Sequence, residues 1–197
     1  MKTRILRKAR FRKLYFLILM CFSFTVSSQI SNKDCDCPQP TAEQFSNLCV
    51  AVYQKNEASK YPNASFQYQE VLWEMACVDP LNDSKDERTK KIQCVWNKYR
   101  TLFRCYGYPT SIASDANVTK FSMDTGFTPF LTDCIRYNKL DMNFIDPADG
   151  KTLLDWMKER INYFRHLPPV DLPKIEEYER YYKLLRDNGA KHKIELE

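Results

Sequence analysis

An all-α fold held by disulfides is what this sequence predicts, on three observations. Only four glycines occur in 197 residues, whereas sheets with tight hairpins use glycine freely. From Pro40 to Tyr106 apolar residues recur at the i, i+3, i+4 spacing of amphipathic helices. Seven cysteines follow a leader-like N-terminus, and an exported chain with that many is bridged rather than reduced.

The leader occupies residues 1–28. "MKTRILRKARFRK" carries seven basic residues and no acid, "LYFLILMCFSFTV" is an apolar run of 13, and small residues follow. That order is the pattern of a secretory signal peptide. The run falls short of the roughly 20 apolar residues of a membrane-spanning helix. Val26 and Ser28 suit a cut before Gln29. The expected location is the periplasm or the medium, with no membrane attachment after cleavage. Seven of the 30 basic residues leave with the leader, so 23 basic face 25 acidic residues in 29–197, a formal −2. The electrostatic case for a nucleic-acid partner goes with them.

Residues 29–123 read as a Cys-rich, three-helix subdomain with a connecting loop. Thr41 and Gln44 form a capping box ahead of Phe45, Leu48, Cys49, Val52 and Tyr53, which share one helix face. Phe66, Val71, Leu72, Met75 and Ala76 mark a second helix. Ser84 and Glu87 cap a third, whose stripe of Ile92, Val95, Trp96, Tyr99, Leu102 and Phe103 carries it to about Tyr106. Gly107 and Pro109 end it. The polar stretch 108–124 shows no stripe and reads as the loop.

The disulfide candidates are Cys35, Cys37, Cys49, Cys77, Cys94, Cys105 and Cys134, an odd number that leaves one without a partner in the chain. No C-x-x-C occurs, so neither a zinc knuckle nor a thioredoxin-type site is written here. On one helix Cys94 and Cys105 lie about 16 Å apart, too far to bond with each other. An up-down-up bundle then brings Cys49 to Cys94, Cys35 or Cys37 to Cys77, and Cys105 to Cys134.

The chain changes character over residues 124–197. "GFTPFLTDCIRYNKLDMNFID" supplies Gly126, Thr128 and Pro129 and closes on Leu140, Asp141 and Asn143. "DGKTLLDWMKERI" starts again with Gly150, Thr152 and Leu154, and "YYKLLRDNGAKHK" ends on Gly189 and Ala190. Each position has a local reason. Gly150 permits a tight turn, the Thr152 hydroxyl can cap a helix with Asp155 three residues on, and Gly189 suits a left-handed C-cap. This pattern resembles the ankyrin repeat, which opens G-x-T-P-L and closes G-A-D-x-N. Leu153 and Asp155 depart from it where the repeat has Pro and His. Thr128 to Thr152 spans 24 residues instead of about 33, so a second helix is expected to be missing there. The insertion "NYFRHLPPVDLPK" lengthens the last copy. The resemblance implies two helical repeats leaning on the N-terminal helices. It also implies a protein partner bound by turn tips and a concave helix face, presented near Asp124, Lys151 and Trp156.

"DMNFIDPADGKTLLD" also invites a calcium reading. Counted from Asp141 the loop fails, because Ile145, Asp146 and Thr152 stand where an oxygen ligand, glycine and glutamate belong. No metal or cofactor is expected, and no catalytic residue. His166 and His192 are the two histidines, and neither adjoins a nucleophile motif. The expected function is a non-enzymatic, exported protein-binding module, such as an immunity or inhibitor protein against a periplasmic toxin or enzyme. The alternatives are a small periplasmic hydrolase built on Glu70, Glu74 or His166, and a structural envelope protein.

Overall fold

Local capping starts most of the helices. The computed structural model describes residues 36–56, 67–108 and 115–197; the leader, Cys35 and the sequon at Asn63 lie outside the described residues. In α1 (Ala42–Asn56) the Gln44 N–H donates to Thr41 Oγ1 at 3.2 Å while Gln44 Oε1 accepts from the Thr41 N–H at 2.9 Å, the box written in the sequence. After α2 (Tyr68–Met75), α3 (Lys85–Tyr99) repeats the device with Ser84 and Glu87. Two helical hairpins follow, α4 (Val118–Asp124) with α5 (Thr128–Arg136), and α6 (Leu153–His166) with α7 (Leu172–Asp187). Among the described residues the fold is all-helical, and antiparallel pairing is limited to isolated bridges at Arg104–Asn117 and Asp146–Lys151.

One continuous core runs from Cys37 to Ala190. Asp34–Glu197 form a single compact unit, and the 123/124 boundary drawn from the sequence falls in the last turn of α4. Trp96 of α3 packs against Phe103 at 5.1 Å and Phe144 at 5.9 Å, which joins the helices to the loop after α5. Its indole N–H donates to the Asp141 carbonyl at 2.7 Å.

The third helix ends at Tyr99 instead of Tyr106, and that decides the disulfides. A short 3-10 turn (Arg100–Leu102) leads into an extended segment whose Cys105 N–H donates to the Ala116 carbonyl. In extended chain, Phe103 and Cys105 point the same way and Arg104 the opposite way. Two extended residues advance about 6.6 Å, and four helical residues advance about 6 Å. Phe103 and Cys105 therefore match Phe45 and Cys49 of α1 in spacing. Phe45 meets Phe103 edge-on at 5.1 Å, and Cys49 bonds to Cys105. The expected Cys49–Cys94 and Cys105–Cys134 bridges are corrected accordingly: the first took the parallel first and third helices to bring Cys49 level with Cys94, and the second took Cys105 to ride on a helix. Cys37 bonds to Cys77, Cys94 is also disulfide-bonded, and Cys134 is a buried free thiol.

Residues 118–124 form a helix where the sequence predicted loop. Val118, Thr119, Lys120, Phe121, Ser122 and Met123 are all buried. A helix enclosed on every side has no polar face, so its sequence carries no stripe. Asn117 caps it by accepting from the Thr119 N–H. Thr128 and Pro129 thus open the second helix of a hairpin, and the helix paired with α5 precedes it. Each hairpin leaves by a left-handed residue, Lys139 at φ 49° and Gly189 at φ 85°. Arg136 and Asn138 recur 50 residues later as Arg186 and Asn188.

Candidate interaction surface

The acidic stretch that suggested a metal loop is bound instead to cations and N–H groups of the chain. Asp141 accepts from Arg100 at 2.6 Å, and Asp146 accepts from Arg104 at 2.8 Å and Lys120 at 2.9 Å. Asp149 accepts from Lys120 at 2.8 Å, and Arg104 also donates to Asp115. Lys120 and Asp146 are almost fully buried. Burial pushes the Asp146 carboxyl up, but Lys120, the Ala148 N–H and Arg104 outweigh it and hold it below its ordinary value. The cluster fixes the 146–151 hairpin against α4. Among the described residues no group of His, Cys, Asp and Glu is arranged to hold a metal ion.

A second network pins the C-terminus, and its histidine had no signal in the sequence. His192 places Nδ1 2.7 Å from Asp155 Oδ1 and Nε2 2.8 Å from the Tyr182 hydroxyl. Asp155 Oδ2 accepts from the Thr152 hydroxyl and the Lys193 N–H. Burial raises the Asp155 carboxyl, and the Lys193 N–H, Thr152 and His192 override it, bringing it to about 2. Thr152 thus caps α6 as expected, with the Asp155 N–H at 3.2 Å. The order Tyr–His–Asp has the look of a proton relay. Its Tyr and Asp stand on α7 and α6, and its atoms tie the 191–197 segment to both.

The partner-binding candidates divide differently from the expectation. Trp156 is 6% exposed and lies against Tyr178 at 5.8 Å. Asp124 is turned inward onto Arg160. Trp156 belongs to the packing of α6 on α7, and Asp124, the last residue of α4, ties that helix to α6. Lys151 reaches the surface, where it pairs with Glu159. The hydrolase candidates do not converge: Glu70 and Glu74 are exposed on α2, where Glu74 accepts from Gln44, and His166 bonds to the Asn162 carbonyl at the end of α6. Asn117, a sequon position, is fully buried.

Exposed apolar side chains gather at the tip joining α6 to α7. Val170 is 52% and Leu172 62% exposed, with Tyr163 and Leu167 beside them. An open cleft of about 370 Å³ adjoins the tip, lined by Glu159, Asn162, Tyr163, His166 and Leu167. Beneath the tip, Arg160 stacks over Tyr163 and Phe164 at 5.0 and 4.8 Å, and Arg165 pairs with Glu179. A braced tip of this kind keeps its shape when a partner arrives, which lowers the ordering cost of binding. The sequence pattern that could have found it is "HLPPVDLP", apolar residues alternating with prolines in an insertion.

No protein-family model matches the chain, and neither a curated protein nor a solved structure matches it. Function therefore has to be argued from the surface itself.

Proposed function

We propose that the chain is an exported, non-enzymatic protein-binding module whose α6–α7 tip enters an apolar cleft on a partner protein. The single observation that carries this reading is the exposure of Tyr163, Leu167, Val170 and Leu172 within ten residues around the braced tip. A chain that buries Trp96, Trp156 and Tyr178 so thoroughly has no folding reason to leave four apolar residues together in water. Asp171, Glu176 and Glu177 adjoin the tip together with Lys174 and Arg180, so the tip has no basic surplus to draw it to an anionic lipid surface. The disulfides are compatible with export.

Two helical hairpins with left-handed exits favour the ankyrin-like reading of residues 126–193, against which Thr128 opens the second helix of its hairpin whereas Thr152 opens the first of its own. Recognition by a protruding turn fits that architecture. The narrower form of the proposal is an immunity or inhibitor protein that blocks an enzyme of the same compartment. Cys134 is buried, which removes one thiol that an envelope protein would use for intermolecular bridging.

The test places a photo-crosslinking residue at Val170 and, as control, at Leu81, which is 90% exposed elsewhere. In the native host, Val170 should yield one stoichiometric protein adduct that Leu81 does not. Val170→Asp should abolish the complex while the thermal melt is unchanged. Inhibition requires that the purified chain lowers the captured partner's activity. Adducts only to lipid, or identical adducts at both positions, would sink the proposal. Edman sequencing of the exported chain should begin at Gln29.

A further inference from the structure

We infer that the groove between the two hairpin exits is a second binding site, for an acidic peptide segment of another protein. One apolar side chain of that segment would sit on the groove floor, with a carboxylate against Arg136 and Lys139. The site lies beyond the α6–α7 tip: it opens at the C-terminal end of α7, roughly 22 Å along the helix axis from Leu172.

The groove holds about 290 Å³, near the lower limit of the roughly 300–1,000 Å³ of small-molecule pockets. That suits a single anchoring side chain of a longer ligand. Ile135, Leu140, Met142, Leu185 and Ala190 form its apolar floor, and all are buried below its mouth. The polar groups at the rim are not equivalent. Asp141 is engaged by Arg100, and Asn143 is used at both ends, donating to the Gly189 carbonyl and accepting from the Lys191 N–H. What remains is Arg136 and Lys139, exposed and with no acidic partner among the described residues. A net positive rim over an apolar floor selects a carboxylate next to an apolar group.

The related exit shows what this one could have been. Arg186, 50 residues after Arg136, is neutralised by Glu195 at 2.7 Å and also donates to the Ala190 carbonyl. Gly189 takes the left-handed turn that Lys139 takes in the first exit. A lysine there adopts a conformation that glycine accepts without strain, so the first exit retains a cation where a glycine would fold more easily. Strain kept at such a position points to a use for the side chain.

The experiment titrates the ¹⁵N-labelled chain with three N-acetylated hexapeptides in which two acidic residues flank Leu, Ile or Phe. Each is paired with an isostere carrying Asn and Gln instead. At least one acidic peptide should give saturable shifts confined to residues 135–143 and 185–191, and its isostere should bind at least fivefold more weakly. Arg136→Gln and Lys139→Gln should each weaken binding several-fold without moving the thermal melt. Lys139→Gly should bind as weakly as Lys139→Gln yet melt at an equal or higher temperature. Three results overturn the inference: no shift at either exit with any acidic peptide, equal affinity for acid and isostere, or shifts centred on the α6–α7 tip. A Lys139→Gly variant that melts lower removes the strain argument and counts against it.

Discussion

The N-terminal helices and the C-terminal hairpins solve one problem by different means. Helices α1 to α3 share the buried core and are in addition tied covalently, through Cys37–Cys77, Cys49–Cys105 and the bonded Cys94. The hairpins α4–α5 and α6–α7 contain one cysteine, Cys134, and it is free. They are held by α6 lying along α7, by Lys120 and Asp146 in a buried ion pair, and by the Asp155–His192–Tyr182 clamp. Covalent closure acts on the unfolded chain by restricting it, whereas buried ion pairs act on the folded state and depend on protonation. The two halves should therefore differ in what breaks them, although a shared core joins them in one transition.

The sharpest break is covalent. Replacing Cys49 and Cys105 together by alanine opens a closed loop with a sequence separation of 56 residues. In the chain-entropy account that lowers stability by about 4 kcal/mol. Urea melts followed by circular dichroism should show it as a lower midpoint for the whole molecule. If hydrogen exchange found α6 and α7 still protected after α1 had opened, the halves would be separate cooperative units.

Asp146→Asn ranks next. It leaves Lys120 and Arg104 buried with one acid fewer, and breaking such a pair costs about 3 kcal/mol. A melt within 1 °C of the parent would mean that Asp149 and Asp115 already satisfy both cations.

Acid should act on both halves, since Asp79, Asp83 and Glu87 at the surface of the N-terminal half are also held low by their hydrogen bonds, but it reaches more deeply buried groups in the hairpins. Asp146 and Asp155 are held below the ordinary carboxyl range when folded, Asp155 at about 2. A depressed folded value contributes stability that is complete above the unfolded value near 4 and is lost as pH falls through the folded value. The melting temperature should stay flat from about pH 7 to 5 and fall between about pH 4 and 2. Asp155→Asn should flatten part of that fall; an unchanged profile would remove the clamp from the explanation. The smallest effect is expected at the tip, where Val170→Asp should shift stability by less than about 0.5 kcal/mol because the side chain is already in water. A larger loss would make the tip part of the fold rather than a docking surface.

Several features were legible because their causes are local. The capping pairs at Thr41–Gln44, Ser84–Glu87 and Thr152–Asp155 span three residues each, and all three form. The acids of 141–155 bind Arg100, Arg104, Lys120 and Thr152, and of these partners only Thr152 could be read from local spacing. The tip was visible as an insertion, whereas partner contact was expected near Lys151, which is at the surface, and near Asp124 and Trp156, which turn inward. Those two lie on helix faces whose direction depends on which helix they meet, and no single-chain periodicity reports that.

The amino-acid sequence by itself determined the helical class, the starts of α1, α3 and α6, and the left-handed exit at Gly189. Each follows from hydrogen bonds or dihedral limits within a few residues. The tertiary structure alone decided the path after Tyr99, and with it the Cys49–Cys105 bond. It alone made a helix of 118–124, because a segment enclosed on every side leaves no polar face to read. It also closed the apolar floor under Arg136 and Lys139, where Leu185 and Ala190, some 50 positions away, meet the local Ile135, Leu140 and Met142, and burial at that separation belongs to the folded chain, not to its pattern.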